Sequence, residues 1–130
     1  MISLAVVEDS PTMVRIWSEL LRGGDYAVEV FTSSPEQMPA LRACRPEIVL
    51  CQGSPRHRRL RDLLVDLRAC DELASASLVV ATSSDQQRLD RELDPELVDH
   101  VLPKTLSRDK LLDALDSLLA GRARGGRERP

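Results

Sequence analysis

The sequence predicts a doubly wound α/β domain, with five parallel strands and helices on both faces of the sheet. Three observations predict it. Short apolar runs rich in Val, Ile and Leu recur without the alternation of a half-exposed strand. Stretches with helical apolar spacing separate them. The chain has 130 residues, which suits one domain with its own core.

Residues 2–7 (ISLAVV) are the first strand. Ser10-Pro11 starts a helix, with serine as N-cap and proline in the first turn. Val14, Trp17, Leu20 and Leu21 share one face of it, and Gly23-Gly24 ends it. Residues 27–31 are the second strand. Pro35 opens a second helix, with Met38, Leu41 and Cys44 turned inward, and Pro46 stops it. Residues 47–51 are the third strand. Leu60, Leu63, Leu64 and Leu67 mark a third helix, 78–81 a fourth strand, and 85–94 a more polar helix with Leu89 and Leu93 inward. Residues 98–102 are a short fifth strand. Leu111, Leu112, Leu115, Leu118 and Leu119 stripe a last helix that ends at Gly121. The expected organisation is one domain over 1–120 and a basic tail or linker start over 121–130.

Composition excludes several classes. Apolar residues make up 42% and charged residues 30%, ordinary for a globular chain and unlike a disordered one. No apolar run approaches the ~20 residues of a membrane span. MISLAVVEDS has no basic opening segment and meets two acids by position 9, so it is not expected to be a secretory signal. The net charge of −3 gives no case for direct nucleic-acid binding. Its distribution is uneven: residues 121–130 hold four arginines and one glutamate, which leaves the other 120 residues at −6. Cys44, Cys51 and Cys70 form no CxxC pair, and an odd number of thiols points to a reduced, cytoplasmic chain. No Gly-x-Gly-x-x-Gly and no phosphate-binding Gly-Lys loop is present.

In a parallel sheet of this kind, function sits at the carboxyl ends of the strands. Glu8 and Asp9 follow the first strand, Gln52 the third, Thr82, Ser83 and Ser84 the fourth, and Lys104 the fifth. His57 and His100 have no metal-ligand spacing and are expected on the surface.

VVEDSPTM at 6–13, with Thr82 and Lys104 at their strand ends, resembles bacterial response-regulator receiver domains of the chemotaxis type. The resemblance spans roughly residues 2–120. It implies a flavodoxin-like (βα)5 fold with strand order 2-1-3-4-5. It also implies that Glu8-Asp9 matches the family's Mg²⁺-holding acidic pair, Thr82 its phosphoryl-sensing hydroxyl and Lys104 its phosphoryl-pairing lysine. The family's phosphoacceptor aspartate ends strand three, and PEIVLCQ at 46–52 puts Gln52 there. A neutral amide is not an anionic nucleophile and does not form an acyl phosphate. One hard oxygen ligand is lost with it, so Mg²⁺ at Glu8-Asp9 is expected to be weak or absent. The family's aromatic switch place is Val101. Lys104 is followed by Thr105 instead of proline, Pro55 comes one residue early, and Leu60 takes a loop glycine's place. The sequence thus reads as a pseudo-receiver without enzymatic activity, signalling to a protein partner by contact. Its docking face in the family's manner would be 85–94, 98–102 and 107–120. Without a phosphoryl group, Lys104 is expected to pair with Asp9.

One feature lies outside the resemblance. Residues 56–61 read RHRRLR at the entry to the third helix, where cations oppose the helix dipole. Either this is a solvated basic loop, or Arg56, His57, Arg58, Arg59 and Arg61 form a docking patch for an acidic partner or phosphate-bearing ligand. Two further readings remain: a Mg²⁺-dependent phosphoacceptor using Glu8 or Asp9, and an anion or nucleotide sensor built on the Arg56–Arg61 cluster.

Overall fold

The computed structural model describes residues 1–53, 55–82, 96–103 and 107–123. Its single sheet has five parallel strands in the order β2-β1-β3-β4-β5, as expected. They are β1 (Ile2–Val7), β2 (Tyr26–Phe31), β3 (Ile48–Gln52), β4 (Ser77–Thr82) and β5 (His100–Pro103). Every residue of β3 and β4 is buried, which is why these runs show no polar alternation.

Helix α1 (Pro11–Leu21) begins where Ser10-Pro11 places it. The Ser10 hydroxyl accepts from the Met13 N–H at 3.3 Å, and Gly23, with φ 81°, makes the left-handed turn after it. The second helix differs from expectation at its start. Pro35–Gln37 form a 3₁₀ turn before α2 (Met38–Cys44), capped by Ser34 on the Glu36 N–H. The tighter turn falls just ahead of Pro39, which carries no N–H for the ladder. Helix α3 runs Leu60–Ala69 with Leu63, Leu64 and Leu67 buried. Strand β5 starts at His100, two residues later than expected; ahead of it the Leu78 N–H donates to the Asp99 carboxylate and Arg68 donates to the Leu97 carbonyl, so side chains stand in for the ladder there. The C-terminal helix (Arg108–Ala123) passes through Gly121 instead of stopping there. A glycine ends a helix by turning left-handed, and among the described residues Gly23 is the glycine with positive φ. The expected helix over 85–94 and the tail from 124 lie outside the described residues.

Two cores sit on the two faces of the sheet. Ala5, Val7, Val49, Cys51, Leu78 and Val80 pack with α2 and α3. Leu4, Val6, Ile48, Leu50, Val79 and Ala81 pack with α1 and the C-terminal helix. Alternate strand residues supply alternate layers. No helix among the described residues is long and apolar enough to cross a membrane.

Candidate functional site at the carboxyl ends of the strands

Parallel pairing brings the ends of β1, β2 and β3 level: Val7 pairs with both Phe31 and Cys51, and Gln52 pairs with Ala81 of β4. Glu8 and Asp9 therefore emerge beside Ser33 and Gln52.

The two acids have separate roles. Leu4 and Val6 face the α1 layer, and Glu8 continues that parity into it. Its side chain is buried, with 1% of the residue exposed. One oxygen accepts from the Trp17 indole N–H at 3.0 Å; the other accepts from the N–H groups of Asp9 (3.0 Å) and Ser10 (3.3 Å). Glu8 thus fastens the start of α1 to its own middle.

Asp9 faces the opposite layer and is the hub of the site, its side chain only 4% exposed. One oxygen accepts from the Ser33 hydroxyl (2.5 Å), the Gln52 amide Nε2 (2.8 Å) and the Arg56 N–H (2.6 Å). The other accepts from the Ser33 N–H at 2.7 Å, and the His57 ring stands 3.9 Å away. Burial by itself would raise the Asp9 pKa, but the hydrogen bonds from Ser33 and Arg56 and the charge of His57 outweigh it and hold the carboxyl below its ordinary value. Since a carboxylate can only accept, the Gln52 group facing it must be the NH₂.

Gln52 itself is the last residue of β3 and is buried. Thr82 ends β4, also buried, closely packed against Gly53, whose N–H donates to Ala81 at 2.7 Å. Val101 is partly buried against the α2/α3 core. It fills the aromatic switch place with a short β-branched side chain confined to few rotamers. Lys104, and with it the expected pair to Asp9, lies outside the described residues.

The basic loop departs from expectation at Arg58. Arg58 is not part of an exposed patch. Its side chain is 11% exposed and pairs with Asp66 of α3. His57 is exposed, as expected, and is tied to the site. Its N–H donates to the Ser33 hydroxyl at 3.3 Å, and its ring, 44% exposed, stands over Asp9. His100 is exposed, as expected. Arg56, Arg59 and Arg61 are exposed.

Ser33 was missing from the candidates. It ends β2's exit, next to β1 in the expected strand order, so inspecting all the strand ends would have found it. The Trp17 contact to Glu8 had a signal too: one inward polar atom on an otherwise apolar helix face.

A magnesium ion needs several hard oxygens turned toward it. Here the Glu8 oxygens point to Trp17 and backbone N–H groups, and those of Asp9 receive donors from Ser33, Gln52 and Arg56. Among the described residues no group of three acids, histidines or cysteines could hold a metal. As arranged, these residues do not fit a tight Mg²⁺ site, since an ion would have to displace the donors already on Asp9.

No family model and no curated protein sequence matches the chain. Solved structures do. The chemotaxis response regulator CheY4 of Vibrio cholerae superposes with TM-score 0.79 at 16% identity, over 90% of this chain and 98% of that one. The receiver domain of a signal transduction histidine kinase from Syntrophus aciditrophicus gives 0.77 at 23% identity, over 93% and 92%. The receiver domain of sensor histidine kinase PA1611 from Pseudomonas aeruginosa, described with magnesium coordinated in its active-site cleft, gives 0.76 at 19%, over 88% and 94%. The 130-residue chain thus has the flavodoxin-like fold of the response-regulator receiver domains, with Gln52 at the end of its third strand.

Proposed function

We propose that this chain is a pseudo-receiver of two-component-type signalling. It acts by phosphorylation-independent contact with a protein partner in the cytoplasm and has no enzymatic activity of its own. The observation that carries the reading is the hydrogen bond from Gln52 Nε2 to Asp9 at 2.8 Å. An amide stands where the resemblance asks for a nucleophilic carboxylate, and its N–H donor supplies to Asp9 the positive charge density that a metal would supply elsewhere. The other acids serve less well as acceptors. Both Glu8 oxygens are engaged inside the fold, and four donors occupy Asp9. The free thiols fit a reducing compartment.

The test is beryllofluoride with Mg²⁺, titrated against the amide NMR spectrum, with Gln52→Asp as the responding control. The wild type is expected to show no shifts at Asp9, Ser33 or Thr82 while the control does. Saturable shifts in the wild type at those residues would restore the phosphorylation switch.

A further inference from the structure

Three arginines of the basic run stand exposed at the entry to α3. Arg56, Arg59 and Arg61 are exposed, and no carboxylate among the described residues pairs with them. Arg59 is the N-cap of α3 and gives it no side-chain cap. Cations here cost stability against the helix dipole, so local structure does not explain them. The loop that carries them is nevertheless tightly held. The Arg56 N–H donates to Asp9, the His57 N–H donates to Ser33, and Ser33 in turn donates to Asp9. The neighbouring Arg58 is withdrawn to Asp66. The buried hub therefore sorts the basic run: one guanidinium goes inward, and three stay outward on an anchored backbone.

We propose that Arg56, Arg59 and Arg61 form a preorganised docking surface for an acidic polypeptide segment, and that Asp9 acts as the positioning residue that holds the surface in shape. The proposal rests on the reading of the chain as a protein-contact module and names the surface and the partner's chemistry. Guanidinium forks pair with carboxylates two bonds at a time. A backbone fixed in advance spares the ordering cost of binding. Nucleic acid fits less well. Single strands bind by stacking on aromatics, and Trp17, Tyr26 and Phe31, the only aromatics of the F/W/Y type in the sequence, are all buried. Asp62, directly after Arg61 on the first turn of α3, also interrupts the positive surface, which suits a short acidic segment better than a long polyanion.

The test needs no phosphodonor and no metal, so its failure is separate from that of the phosphorylation-independent reading. A fluorescein-labelled peptide of alternating glutamate and serine is titrated by fluorescence anisotropy at low salt. Reversing Arg56, Arg59 and Arg61 to glutamate is expected to weaken binding by about tenfold or more. Reversing Arg15, Arg22 and Arg45, exposed elsewhere with the same change in net charge, is expected to weaken it far less. Asp9→Ala is the decisive variant. Attraction of charges alone predicts tighter binding once a carboxylate under the patch is gone. Positioning predicts weaker binding, by roughly threefold. Ser33→Ala removes the anchor of His57 without changing charge; it gives the same prediction if Asp9→Ala does not fold. Equal losses in the two triple variants, or binding that is not weakened by either Asp9→Ala or Ser33→Ala, would overturn the proposal. So would preferential binding at this surface of a labelled oligothymidylate or of inorganic phosphate, which would assign it to another ligand class.

Discussion

Arg58 shows how a single side chain can be misread from sequence. In RHRRLR it is one of four equivalent arginines. In the fold it is nearly buried, its Nη1 pairs with Asp66, and its Nε and Nη2 are buried without a hydrogen-bond partner. Buried donors left unmade cost about 1–3 kcal/mol, and a buried ion pair often loses to an apolar side chain of similar volume. Asp66 is 55% exposed and keeps its hydration when its partner goes. Arg58→Met is therefore expected to be stabilising by about 1 kcal/mol, read as a higher urea midpoint with unchanged slope. A lower midpoint would mean that the two nitrogens hold partners worth more than the apolar contacts that replace them. The same side chain bears on Cys51. Burial pushes that thiol up to about 12 against a smaller opposing pull from Arg58 and Arg68, so Cys51 stays a protonated core residue.

At the scale of elements, β1, β3 and β4 were legible because the sheet's centre is buried on both sides, while the edge strands β2 and β5 keep exposed residues and were read from their position between helices. A buried parallel strand has to be an apolar run, and the five runs fell within two residues of β1–β5. The helices were legible from stripes such as Leu63, Leu64 and Leu67, which reach full burial. The entry loop to α3 was not legible. Its shape is set by hydrogen bonds to residues 47 and 24 positions away, and no local pattern encodes those. The same holds for the 3₁₀ entry to α2 and for the meeting of β3 and β4 at Gly53. There a Cβ added to Gly53 would lie 2.6 Å from both the Cβ and Oγ1 of Thr82, closer than atoms pack. Gly53→Ala must push the two strand ends apart, at an expected cost of about 1–3 kcal/mol, measured by urea unfolding. Thr82→Ala is not expected to rescue it, because the Thr82 Cβ is itself one of the close atoms. A neutral Gly53→Ala would show that the ends of β3 and β4 separate without resistance.

At the scale of the whole molecule, the two acids that looked like a pair are divided between the layers of the sheet. Glu8 belongs with Trp17 on one face and Asp9 with Ser33 and the basic loop on the other, so the site is where the two cores are tied together. Gln52 completes that tie by giving Asp9 a donor instead of a second negative charge. Gln52→Asp reverses the logic. It removes the 2.8 Å hydrogen bond and sets one carboxylate against another, which raises the pKa of the pair in the folded state. The variant is expected to lose about 1–3 kcal/mol at neutral pH without metal. Because the raised pKa favours the protonated folded state, the deficit should shrink as pH falls into the carboxylate range and grow as pH rises above it. Mg²⁺ should restore stability, by about 1.4 kcal/mol at a tenfold excess over its dissociation constant. The wild type, whose Asp9 already has its donors, should show the same urea midpoint with and without Mg²⁺. A Mg²⁺-dependent midpoint in the wild type would mean that the ion can displace Gln52 from Asp9, and the site would then be a metal switch held closed by an amide.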